Sequence, residues 1–132
     1  SYYDLADKVI DELKKRDLAD TTNLNATPQK YGYTRYFKIE NFGFSLNVRF
    51  DMWERTADTP FWLSIKDATE KKWEQNETFK ALTKNIVSKK SILTFENKRD
   101  LFIPIFPLLD KTEDIVVNDI TDKIIELKNE LK

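Results

Sequence analysis

The stretch Phe44-Ser45-Leu46-Asn47-Val48-Arg49-Phe50-Asp51-Met52-Trp53 alternates inward-type and outward-type residues without a break. Successive side chains of a strand point to opposite faces, so this pattern specifies a strand with one face in a core and the other toward solvent. Phe44, Leu46, Val48, Phe50 and Met52 form the inward set, and Ser45, Asn47, Arg49, Asp51 and Trp53 the outward one. The outward row therefore offers an ion-pair-capable couple and an indole. Residues 31–63 around it hold ten of the chain's seventeen aromatics.

On the N-terminal side, residues 35–40 read as a preceding strand, with Asn41-Phe42-Gly43 as the turn between them. On the C-terminal side the pattern breaks over residues 54–59 and resumes at 61–66, with Phe61, Leu63 and Ile65 inward and Trp62, Ser64 and Lys66 outward. Three consecutive strands of this kind make an antiparallel meander.

Helical periodicity brackets the meander. Tyr2, Leu5, Ala6, Val9, Ile10 and Leu13 share one side of a helix over residues 3–18, and residues 20–28 read as a loop. Asp67-Ala68-Thr69-Glu70 has capping-box spacing for a second helix reaching about Ser88, with Trp73, Phe79, Leu82 and Ile86 as its stripe and Gln75-Asn76 as an irregularity. Residues 92–95 and 101–106 read as further strands, the second at an edge because Pro104 cannot donate to a ladder. Asp110-Lys111-Thr112-Glu113 repeats the helix-start spacing before a final helix carrying Val116, Ile120, Ile124, Leu127 and Leu131. The expectation is one α+β domain over residues 1–132, with three helices on a mainly antiparallel sheet of about five strands in the order αβββαββα. The opening Ser1 suggests a domain taken from a longer protein.

Composition narrows the chemistry. With no histidine and no cysteine in 132 residues, Ser-His-Asp and Cys-His nucleophiles, thiol redox chemistry and the usual zinc sites are excluded. Catalysis would have to use carboxylates, lysines, tyrosines or an oxygen-ligated cation. No apolar run of membrane-spanning length and no leader pattern is seen, so a cytoplasmic protein without a membrane partner is expected. The net charge of −1 makes no global case for a polyanion, but Lys80, Lys84, Lys89, Lys90, Lys98 and Arg99 stand against Glu96 alone between residues 80 and 99. Such a patch either guides a polyanion or is a solvated helix end.

If strands 44–52 and 61–66 pair, one face gathers Tyr36, Lys38, Asn47, Arg49, Asp51, Trp53, Trp62, Ser64 and Lys66. Aromatics interleaved with cations on an open sheet can stack bases and contact phosphates. The competing arrangement puts a helix over this face, makes the tryptophans core and pairs Arg49 with Asp51.

The element order also resembles the αβββαβ core of PD-(D/E)xK nuclease-like proteins over about residues 3–96. That resemblance implies Asp51 as a Mg²⁺-binding carboxylate and Lys66 of Ser64-Ile65-Lys66 as the residue orienting water, with Ser64 standing where the second carboxylate belongs. The literal triplets Glu70-Lys71-Lys72 and Glu96-Asn97-Lys98 fall at a helix start and in a turn. Thr59-Pro60-Phe61-Trp62-Leu63 after residues 49–53 resembles uncharacterised bacterial proteins that accompany nuclease-like modules, which implies a bacterial accessory domain.

Three functions follow as expectations. The first is a non-catalytic, cofactor-free module binding protein or nucleic acid through Tyr36, Lys38, Arg49, Asp51, Trp53, Trp62 and Lys66, with Lys84, Lys89, Lys90, Lys98 and Arg99 as a basic patch. The second is a divergent Mg²⁺-dependent nuclease using Asp51 and Lys66. The third is a structural domain associating through its last helix.

Overall fold

The alternating segment becomes a strand, Phe42–Arg49, that pairs antiparallel with Gly32–Ile39 on one side and Phe61–Lys66 on the other. In this computed structural model residues 1–66, 75–89, 93–94 and 100–131 are described. The elements run α1 (Tyr2–Lys15), β1 (Thr27–Gln29), β2 (Gly32–Ile39), β3 (Phe42–Arg49), β4 (Phe61–Lys66), α2 (Glu77–Lys89), β5 (Leu93–Thr94), β6 (Leu101–Ile105) and α3 (Glu113–Asn129). The fold is α+β, with one antiparallel sheet in the order β1-β2-β3-β4-β6-β5.

One face of the sheet is dry. Phe37, Ile39, Phe44, Leu46, Val48, Phe61, Leu63, Ile65, Leu101, Ile103 and Ile105 pack there with Ala6, Val9, Ile10 and Leu13 of α1 and Val116, Val117, Ile120, Ile124 and Leu127 of α3. Phe79 and Ile86 of α2 join the same core. Removing each large aliphatic side chain from water contributes roughly 2 kcal/mol, so this layer is the main source of stability. Surface pairs then set the helix positions. Arg16, which caps the end of α1, donates to Asp122 (2.9 Å) and Asn118 (3.2 Å) of α3, and Lys8 pairs with Glu113. Asp7 accepts from Tyr33 (2.6 Å) and Arg35 (2.5 Å) of β2.

Several elements differ from expectation for identifiable reasons. The stretch read as a loop runs into β1 at its end, and Asp20 exchanges backbone bonds of 2.8 Å with Lys38, so both ends of this stretch pair with β2 while residues 21–26 stay irregular. The β2–β3 turn is Glu40-Asn41, with Glu40 left-handed at φ 55°, while Phe42 and Gly43 are already paired in the ladder. β3 stops at Arg49. There the Phe50 amide donates to Tyr31 and the chain turns, with Glu54 at φ 67°.

The helix ends and last strands shift as well. α1 ends at Lys15 because Asp17 turns left-handed and the Leu18 amide donates back to Leu13. Gln75-Asn76, expected as an irregularity, lies just before α2, where Asn76 accepts from the Phe79 amide (3.0 Å). The cap at residues 67–70, Trp73 and both E-x-K triplets lie outside the described residues. β6 is not the outermost strand, since β5 flanks it, and among the described residues β5 pairs with Leu101 and Phe102. α3 starts at Glu113 after Thr112, without a side-chain cap bond, and its apolar stripe is buried within the chain's own core. No helix among the described residues is long and apolar enough to cross a membrane.

Gly32 makes the β1–β2–β3 junction possible. It pairs with Gln29 and Arg49 at once, and a Cβ at this position would lie 1.8 Å from the Val48 carbonyl oxygen. Gly32→Ala is expected to cost about 3 kcal/mol or more, as for severe overpacking against backbone. Urea unfolding measures this, and an unchanged midpoint would refute the assignment.

Candidate functional site

The second face of the sheet is polar, and strand register arranges it in rows. Tyr36, Ser45, Ser64 and Phe102 are successive partners across β2, β3, β4 and β6. The next row is Thr34, Asn47, Trp62 and Pro104, and on the other side Lys38 and Lys66 flank Gly43. Side chains directly opposite on antiparallel strands have Cβ atoms about 4.5–5.5 Å apart, so each row is a continuous strip of contacting groups.

Asn47 ties the rows together. Its amide nitrogen bonds to the Ser45 carbonyl (3.2 Å), the Ser45 hydroxyl (3.0 Å) and the Trp62 carbonyl (3.2 Å), while its oxygen accepts from the Thr34 hydroxyl (2.9 Å). The group is buried yet engaged on both its donor and acceptor sides. Ser64 is the opposite case. It is 0% exposed, and its hydroxyl has no hydrogen-bond partner among the described residues. Trp62, two residues earlier on the same face, also holds an unpartnered indole N–H.

A cavity of about 320 Å³ opens over these rows, lined by Thr34, Ser45, Asn47 and Ser64 at its floor. Tyr36, Lys66, Arg49, Asp51, Asp100 and Phe102 line it too, as does the segment Gln29-Lys30-Tyr31. Two tyrosines carry a lysine ammonium: Lys66 Nζ is 4.4 Å from the Tyr36 ring centroid and Lys30 Nζ 5.2 Å from that of Tyr31. Tyr31 is 54% exposed. Arg49 grips Asp51 with both arms, Nε to Oδ1 at 2.8 Å and Nη2 to Oδ2 at 2.7 Å. Those bonds hold the Asp51 carboxyl below the ordinary value of 3.8, against the opposing effect of partial burial.

Of the residues expected to bind, Tyr36, Arg49, Asp51 and Lys66 share the cavity, and Lys38 is exposed in the Lys66 row. The two tryptophans do not join them. Trp62 is fully buried, packed with Met52, Phe102 and Ala57, and presents no face for stacking. Trp53 lies beyond the end of β3 and packs edge-on against Tyr2 of α1 (5.5 Å) and beside Phe50 (6.2 Å), its N–H donating to Asp58. Lys84 and Lys89 are exposed on α2, whereas Lys90, Lys98 and Arg99 lie outside the described residues. Lys30, Tyr31 and Asp100 were not anticipated. Their only sequence signal is position: Lys30-Tyr31 precedes the glycine that opens β2, and Asp100 directly precedes β6.

The site does not fit a divalent cation at Asp51. A metal there would have to displace a bidentate guanidinium, and Ser64 supplies a neutral hydroxyl where a nuclease needs its second carboxylate. Among the described residues no group of three or more acidic side chains is placed to hold a metal ion. No family model, no curated protein and no solved structure matches the chain.

Asn47→Ala removes the fastener and leaves Thr34 and the Trp62 carbonyl short of partners; a loss of about 2 kcal/mol is expected in chemical unfolding. A second outcome concerns pH. Because the Asp51 pKa is lower in the folded state, the pair stabilises fully above the unfolded value near 3.8, and this is lost as pH falls through the folded-state value. Asp51→Asn should therefore show a shallower loss of melting temperature on acidification than the parent chain, and parallel curves would count against the pairing.

Proposed function

We propose that this protein is a non-catalytic binding module that receives a single-stranded nucleic acid on the polar face of its sheet. The observation carrying the reading is the pair of lysine-capped tyrosines, Lys30 with Tyr31 and Lys66 with Tyr36, beside a cavity whose floor is rich in hydrogen-bond donors. Aromatic faces accept any base by stacking, and neighbouring ammonium groups follow the phosphates. Tyr rings already polarised by a cation keep one face for a ligand and hold the cation close to where a phosphate would pass.

The charge distribution supports the same use. Asp51 is neutralised locally by Arg49, so Lys30, Lys38 and Lys66 stand against Asp100 around the cavity. With an overall charge of −1 the chain has little long-range attraction for a polyanion. Recognition then depends on contacts made at the face itself, and affinity is expected to be modest. Three lysines on phosphates correspond to a log–log salt slope of about −2 for a single strand.

Fluorescence anisotropy with a labelled single strand of about 12 nucleotides, within the site sizes usual for such grooves, tests the reading. Saturable binding is expected, weakened roughly tenfold by Tyr36→Ala and by Lys66→Met, since one stacked base or one phosphate contact is lost in each. Equal binding by both variants, or no binding at low salt, would sink it.

A further inference from the structure

We infer that the floor of this cavity is a phosphate seat, in which the hydroxyls of Ser45 and Ser64 and the ammonium of Lys66 receive one phosphate group of the bound strand; this rests on the nucleic-acid reading above. The argument is a count of donors and acceptors. The amide and carbonyl acceptors at the floor are engaged: Asn47 Oδ1 takes the Thr34 hydroxyl, and the Ser45 and Trp62 carbonyls take the Asn47 amide, as does Ser45 Oγ. The hydroxyl hydrogens of Ser64 and Ser45 are not. Ser64 Oγ has no partner, and the Ser45 hydroxyl, which accepts from Asn47, has no acceptor for its own hydrogen among the described residues. A buried donor left without an acceptor is unfavourable, so a ligand that brings oxygen lone pairs restores what the fold leaves unmet.

Geometry selects a compact oxyanion. Ser45 and Ser64 are direct partners across β3 and β4, which puts their Cβ atoms about 4.5–5.5 Å apart. That spacing lets two hydroxyls converge on neighbouring oxygens of one anion. Lys66 lies two residues beyond Ser64 on the same face, and its Nζ stands over Tyr36, the residue paired with Ser45. The ammonium is thus carried back toward the hydroxyl row. Three donors around one point match the three terminal oxygens of a strand's terminal phosphate better than the two of an internal phosphodiester or of a carboxylate, so the group seated is the terminal one. Of the two carboxylates among the described residues that line the cavity, Asp51 has both oxygens committed to Arg49, and Asp100 stands one residue outside β6, beyond the last register pair of Ile65 with Leu101.

Titration calorimetry on the whole chain with inorganic phosphate, uridine 5′-monophosphate, uridine and acetate separates the cases. Phosphate and the nucleotide should bind, with uridine and acetate at least tenfold weaker. Ser64→Ala and Ser45→Ala should each weaken the nucleotide roughly tenfold. Ser64→Ala should at the same time melt no lower than the parent chain, because it removes an unpartnered hydroxyl from a buried position. This melting measurement separates loss of the seat from loss of the fold.

Equal binding of uridine and its monophosphate would overturn the seat while leaving stacking, and hence the nucleic-acid reading, intact. Acetate as tight as phosphate would overturn the choice of phosphate. Full nucleotide affinity in Ser64→Ala would remove the assigned residue. Phosphate binding without oligonucleotide binding would uphold the seat and reject the strand as its source, and binding of none of the probes would reject both.

Discussion

The side-chain amide of Asn47 is the interaction on which the polar half of the molecule depends. It sits in the middle strand, reaches Thr34 on β2 and the Trp62 carbonyl on β4, and bonds twice to Ser45 on its own strand. A buried amide satisfied on both sides specifies register as well as stability, because a one-residue slip would carry it into the apolar layer and leave its partners unmet. Ser45, Ser64, Tyr36 and Lys66 stand in adjacent positions only because that register holds. The same bonds engage the amide and carbonyl oxygens around Asn47, and so leave the hydroxyl hydrogens of Ser45 and Ser64 at the cavity without an acceptor among the described residues.

The two faces divide the work. The dry face buries the stripes of α1 and α3 and most of the strand interiors, which supplies stability without using any residue of the cavity. The polar face contributes only a small apolar cluster of Met52, Trp62 and Phe102. Substitutions in the cavity are thereby largely insulated from the main core. The exception is Arg49–Asp51, at the end of β3, where an ion pair that shapes the cavity wall also holds the chain as it leaves the sheet.

The sequence was most legible where periodicity was enforced by burial. β4 falls on the expected residues 61–66, and the inward sets of β3 and β4 are the observed core residues. Alternation continued past Arg49 into a turn because Met52 is buried against Trp62 for other reasons, while Phe50, expected inward, is exposed and only rests its ring beside Tyr2 and Tyr3. A two-residue period cannot distinguish these long-range contacts from a continuing strand. The grouping of Tyr36 with Lys66 followed from facing strands, whereas the pairing of Arg49 with Asp51 belonged to the competing reading and forms between residues two apart on one segment. Trp53 escaped because its partner is Tyr2, some fifty positions earlier, and Trp62 because alternation reports a face and not what lies over it. The β1 strand was hidden by short length and turn-forming composition, since three residues with a proline carry no periodic signal.

The pairing of α1 with α3 bears on the order in which the chain folds. The strands β1 to β4 join sequence neighbours through successive hairpins and can zip together early, since their loop-closure cost is low. The apolar stripe of α1, by contrast, shares a core with that of α3, and surface pairs such as Arg16–Asp122 join the two helices across more than a hundred residues of sequence. During synthesis the first helix is therefore made long before the helix that shelters it. Its apolar side must wait at the growing sheet until α3 has cleared the ribosome, which makes this interval the one in which a chaperone would find most to hold.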